Sequence, residues 1–218
     1  STQTQEYILI EGNIATVDAL KGMQNTHNNF RDDTFIAKNP DGSLKTNSIY
    51  TIIQNSIKNN QSLINEYNID KDTSIPRTDK DVERLFDYLY QKDKFNFEDF
   101  DMEDFDIQDI QDLQDQDISL EGLYAQPRSV LHKNDAGKYN AAVIRIYISF
   151  QFNGNGEQKI DDSLELLKKE LLEDVSNYGN AKAEVTGANV ITLTITNSLT
   201  DSQILSTFVS IIFAALVL

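Results

Sequence analysis

The 218-residue chain has no cysteine. Disulfides, thiolate metal sites and cysteine nucleophiles are therefore excluded. The compartment stays open, because cytosolic and exported proteins can both lack the residue. Basic residues are scarce: 19 Lys and Arg face 35 Asp and Glu, a formal net charge of −16. This argues against nucleic acid, whose phosphates demand Lys and Arg, and against docking on anionic lipid through a basic patch. Two histidines occur, His27 and His132, and both read as packing or surface residues. No Gly-rich phosphate loop, HExxH or GxSxG is present. Glu11 with Asp18, or Asp161 with Asp162, could be nominated as carboxylate pairs. Nothing favours them over the other acids, and cap or surface roles fit better. No catalytic residue, metal ligand or cofactor is therefore assigned, and the chain is read as a non-enzyme. The start, STQTQEYILIEG, has neither the basic region nor the long apolar run of a signal peptide.

What is present is patterned. EYILIEG (6–12) is an apolar run closed by Gly and predicts a buried strand. Thr16 or Asp18 caps a following helix, with Val17, Leu20, Met23, His27 and Phe30 as its stripe. DTFIAK (33–38) predicts a second strand, and NPDGS (39–43) a turn. A polar, Asn-rich helical stretch follows, with Ile49, Ile52, Ile53, Ile57 and Ile64 on one face. It contains Asn60-Gln61-Ser62, a glycosylation pattern common by chance in so Asn-rich a chain. Pro76 breaks the chain, and 79–91 is a helix with an acidic first turn. YNAAVIRIYISFQF (139–152) is the strongest strand. A turn at 153–157 leads into a helix over 161–176, with Leu164, Leu167, Leu171, Leu172 and Val175 expected inward. AKAEVTG (181–187) is the last strand.

Strand–helix–strand thus occurs twice, over 1–38 and 139–187. Two such units with right-handed crossovers are the ingredients of a ferredoxin-like α+β sandwich. Residues 39–138 are then a mainly helical insertion.

Within that insertion, 93–117 holds eleven acidic residues against one lysine, a net charge of −10. Phe95, Phe97, Phe100 and Phe105 interleave with the acids. Three readings stay open: a solvated acidic loop or amphipathic helix clipped down by its Phe residues, a divalent-cation site, or a partner or ligand surface. The cation reading lacks the glycine turn and the ligand spacing of a helix–loop–helix calcium site.

Residues 204–218 carry no charge, proline or glycine. As a helix they extend about 22 Å, short of the roughly 30 Å bilayer core. They read as a buried core helix, an interfacial anchor, or the first part of a transmembrane helix. Their apolarity on every face and the lack of a C-terminal cap favour the last.

YILIEGNIATVDALKGMQ (7–24), LFDYLY (85–90), AAVIRIYISF (141–150) and AEVTGANVITLTITNSLTDSQILSTFVSIIFAALVL (183–218) follow one another along the chain. In order and spacing they resemble the resistance–nodulation–division (RND) superfamily of exporters, in its hydrophobe-exporter or MmpL-like branch. The likeness covers most of the chain, thinly over 39–76 and not over 93–117. The resemblance implies an extracytoplasmic porter domain from one half of a membrane transporter. Val185, Thr186 and Gly187 stand where the family ends a strand. A connecting helix over 188–203 would follow, then a transmembrane helix from 204. VITLTIT (190–196) alternates like a strand, and the helix expected there rests on the resemblance.

The implied partners are the rest of the transmembrane portion, a second porter domain of the same transporter, the membrane, and a hydrophobic or amphiphilic substrate. Phe95, Phe97, Phe100 and Phe105 are the candidates for substrate or partner contact. The rival readings are a membrane-anchored surface or adhesion domain and an acidic soluble enzyme with a buried C-terminal helix.

Overall fold

The computed structural model describes residues 3–58, 60–92, 127–149 and 158–191. The first strand, β1 (Gln3–Glu11), hands over to α1 (Val17–Asn29). Thr16 sits extended before the helix, and its Oγ1 accepts from the Ala19 N–H at 3.1 Å, satisfying one of the free donors of the first turn. A 3-10 turn, Phe30–Asp32, closes α1. Next come β2 (Thr46–Asn47), α2 (Ile49–Ile57) and α3 (Gln61–Glu66). The Asn-rich stretch is thus two helices with separate caps. Ser48 and Thr51 exchange hydrogen bonds at the start of α2, and Asn60 Oδ1 accepts from Leu63 N–H at the start of α3. The short pair β3 (Ile69–Asp70) and β4 (Ile75–Pro76) follows, then α4 (Asp79–Lys92). After a second 3-10 turn, Pro127–Ser129, come β5 (Leu131–Lys133), β6 (Tyr139–Ser149), α5 (Gln158–Asp174) and β7 (Lys182–Gly187).

The fold is mixed α+β. Its main sheet runs β2-β6-β1-β7, with β5 also on β6, and every pairing is antiparallel. β1 and β6 pair from Gln3↔Ser149 to Glu11↔Ala141. Strand alternation then puts Ile8 and Ile10 on the same face as Ala142, Ile144, Ile146 and Ile148, all buried. That face shares one core with Leu20, Met23 and Phe30 of the α1 region and with Leu167 and Leu171 of α5. Burying each such large aliphatic side chain contributes about 1.5–3 kcal/mol. The described residues of 39–138 pack with the rest. They supply β2 and β5 to the main sheet, and Ile49, Ile53, Val82, Leu85 and Phe86 to the same core.

Two expectations are corrected. The strand predicted over 33–38 is reduced to two isolated bridges, Ile36↔Ile148 and Lys38↔Leu44. The turn after it is the cause. Asn39 N–H donates to Ser43 O and Gly42 N–H to Asn39 O, which brings Lys45 back beside Ala37. Tyr147 O accepts from Ala37 N–H, while Tyr147 N–H donates to Lys45 O, so two segments share the free edge of β6. The second correction concerns Leu172, expected inward but 54% exposed. It follows Leu171 around the helix by about 100°, off the stripe of Leu167 and Leu171.

Residues 188–191 are helical, and the rest of the connecting segment expected over 188–203 lies outside the described residues. No helix among the described residues is long and apolar enough to cross a membrane. Residues 192–218 lie outside them, so the apolar run is not among the described helices.

Candidate functional site

The feature that sets one end of the sheet apart begins with a charge in the wrong place. Glu6 lies on the core side of β1, in register with Ile146 on one flank and Gly187 on the other, and is fully buried. An ionised carboxylate there needs donors, and the start of the helical residues 188–191 provides them. Glu6 Oε1 accepts from Asn189 N–H at 3.0 Å and from Asn189 Nδ2 at 2.7 Å, and Oε2 accepts from Val190 N–H at 3.4 Å. Burial pushes the carboxyl above the ordinary Glu range, and the N–H groups of Asn189 and Val190 pull it back. A carboxylate at a helix start also meets the positive end of the helix dipole.

Gly187 makes this approach sterically feasible. Its φ is +139, a conformation L side chains rarely adopt, and a Cβ on it would lie 2.7 Å from Glu6 Cδ. The third residue of Val185-Thr186-Gly187 therefore lets a strand end turn into a helix around a buried carboxylate. Val185 pairs with Ile8 and Thr186 with Tyr7 in the β1–β7 ladder.

Because β1 and β7 are antiparallel and adjacent, the start of β1 and the end of β7 share one end of the sheet. Asn189 Nδ2 reaches across to donate to Thr4 Oγ1 at 2.9 Å.

Between the end of α1 and the end of α5, three acids meet. Asp33 follows α1, while Glu170 and Asp174 lie on the last turns of α5. Asp33 Oδ2, Glu170 Oε2 and Asp174 Oδ2 are shut off from solvent without a hydrogen-bond partner. Burial pushes all three carboxyls up; Asp174 adds to the rise at Asp33 and Asp33 to that at Glu170, whereas at Asp174 the hydrogen bond with Asp33 pulls down against the charges of Asp32, Glu170 and Glu173.

The remaining polar features are structural. His27 Nε2 bonds Ser48 Oγ at 2.9 Å and Nδ1 bonds Thr46 Oγ1 at 3.2 Å, and burial holds its ring neutral, down to about 4. His132 Nδ1 bonds Asn140 Oδ1 on the surface. Glu11 ends β1 and Asp18 opens α1, and no hydrogen bond or ion pair joins them among the described residues. Asp161 and Asp162 lie in the early turns of α5. Asn60, in the glycosylation pattern, is engaged as the α3 cap. A surface hollow of about 530 Å³ beside β3 is lined by Asn68, Asp70, Lys71 and Arg77 among others. Its charges are already committed: Asp70 accepts from Arg77 and from the Asp72 and Thr73 N–H groups, and Lys71 donates to Gln61.

Phe95, Phe97, Phe100 and Phe105, with the whole acidic segment 93–117, lie outside the described residues. Among the described residues no group of three or more His, Asp or Glu is placed to hold a metal ion. Sequence reasoning missed Glu6, although its alternation with Ile8 and Ile10 put a charge on a core face. No family model matches the chain, and no curated protein or solved structure matches it either.

Proposed function

We propose that this chain is the extracytoplasmic porter domain from one half of an RND-type exporter. One observation carries the reading. The domain's first and last strands open onto the same end of the sheet and are bonded there through Thr4, Glu6 and Asn189. A domain suspended between two successive membrane helices needs this arrangement, and the apolar run 204–218 follows the junction in sequence. The antiparallel order β2-β6-β1-β7, with a helix after β1 and another after β6, supports the finer ferredoxin-like βαβ-βαβ description.

On this reading the domain performs no reaction. It receives a hydrophobic or amphiphilic molecule from the outer leaflet and passes it outward through a cleft shared with the second porter domain. Such a cleft is apolar with a polar rim, and Phe95, Phe97, Phe100 and Phe105 are its proposed contribution from this chain. Ion flux through the membrane portion drives the cycle.

The reading frame around the domain tests the proposal. A transporter half has an apolar span of about 20 residues just upstream and several more downstream. A single span followed by a stop would instead identify a membrane-anchored surface or adhesion domain. Export of a fluorescent lipid probe by the full-length protein, before and after Phe97→Ala and Phe100→Ala, then tests the cleft; unchanged export removes these residues from it.

A further inference from the structure

The contact between the end of α5 and the end of α1 lacks something that the rest of the core has. Asp174 is only 8% exposed. Its Oδ2, Asp33 Oδ2 and Glu170 Oε2 are all closed to solvent and receive no hydrogen bond. Ionised carboxylates can only accept, so two of them facing one another have nothing to exchange.

The surroundings do not neutralise them. Asp32 and Asp33 approach from the α1 side, and Glu170, Glu173 and Asp174 from α5, and the strongest charges acting on the three carboxyls are these acids themselves. Lys169 pairs with Glu173 at 3.8 Å, both well exposed. Thr34 Oγ1 donates to Glu170 Oε1 at a long 3.5 Å. Asn29 Nδ2 donates to the backbone carbonyl of Asp174, not to its carboxyl. No metal-holding group exists among the described residues. A proton held between two of these carboxyls would supply the missing donor.

We propose that Asp33 and Asp174 share one proton, and that this proton is a latch fastening the end of α5 to the end of α1. When the proton leaves to solvent, two carboxylates remain in contact and repel. The latch then loosens the segment after α5. That segment carries Tyr178, whose hydroxyl bonds Thr26 Oγ1 at 2.6 Å inside the core, and it leads into β7. Alkaline solution therefore opens the domain on its α5 side, whatever its larger role.

Burial, then the Asp174 carboxyl, pushes Asp33 up to about 8 from an ordinary 3.8. The folded chain keeps a proton that the unfolded chain releases, so the latch is at full strength below about pH 4. It weakens as pH rises through about 8 and is absent above.

Two measurements on the whole chain test this. In a carboxyl-carbon NMR titration of the wild type, one of Asp33 and Asp174 titrates above about pH 6.5; if both titrate in the ordinary Asp range, the latch is wrong. In thermal melts, the wild-type Tm falls by about 4 °C or more between pH 5 and pH 8.5. Asp174→Asn, whose amide supplies a permanent donor, flattens that fall to less than half. Equal falls in the two proteins overturn the proposal, and the titration decides alone if the variant does not fold.

Discussion

Two buried groups of acid sit at different places in this domain and are handled in opposite ways. Glu6 is wholly buried and receives three N–H groups from Asn189 and Val190. Asp174 is nearly as buried, and its Oδ2 receives nothing. Both carboxyls are pushed up by burial. The difference is the supply of donors, not depth. Where a helix start offers its free N–H groups, a carboxylate can stay ionised and join two elements. Where two helix ends meet side chain to side chain, the carboxyls must borrow a proton.

Gly187 is the most sensitive position at the donor-rich end. Gly187→Ala puts a Cβ against the Glu6 carboxyl at a positive φ, and should destabilise the chain by about 3 kcal/mol or more. Chemical denaturation measures it; a loss within error would mean that Glu6 is not held against the helix start. Glu6→Gln keeps the size of the side chain but turns an NH2 toward donors, and should lose about 2 kcal/mol. Denaturation of the two proteins side by side checks it; equal stability would mean that the bonds from Asn189 and Val190 to the Glu6 carboxyl contribute nothing. Asp174→Asn should act in the other direction at alkaline pH, raising Tm above wild type while lowering or leaving it unchanged near pH 4. The smallest effect belongs to His27. Burial holds its folded value near 4 against 6.5 unfolded, so the folded chain binds fewer protons between those values. Its stability is complete above about pH 6.5 and is lost as pH falls toward 4. His27→Gln, which can still bond Ser48 and Thr46, should remove that part of the acid-side fall in a pH series of melts.

Much of the fold is legible in the sequence, for local reasons. Thr16 capping α1, the turn at 39–43 and the alternation of β6 are written in neighbouring residues, where short-range hydrogen bonds and strand parity decide the outcome. The importance of Gly187 is readable only as a resemblance, because its cause is a side chain 181 positions earlier in sequence. Asp33 with Asp174 is not legible at all. Each is an ordinary surface-type residue at the end of its own helical segment, and only the packing of α5 on α1 makes them neighbours. Gly22 is similar: a Cβ there would lie 2.6 Å from Tyr178 Cδ1, a contact that exists only once the two segments have met.

The bond between Glu6 and the helical residues 188–191 has a mechanical meaning. Among the described residues β7 is the edge strand, held on one side, by β1. Tension applied through residue 188 would ordinarily peel such a strand away one pair at a time, like a zip. Glu6 moves the point of attachment inward. It belongs to β1, which is flanked by β6 and β7, so the load arrives at a strand braced on both sides and must shear two ladders together. A pull or twist on the segment after β7 is thus delivered to the centre of the sheet as a rigid displacement instead of being spent on fraying its margin.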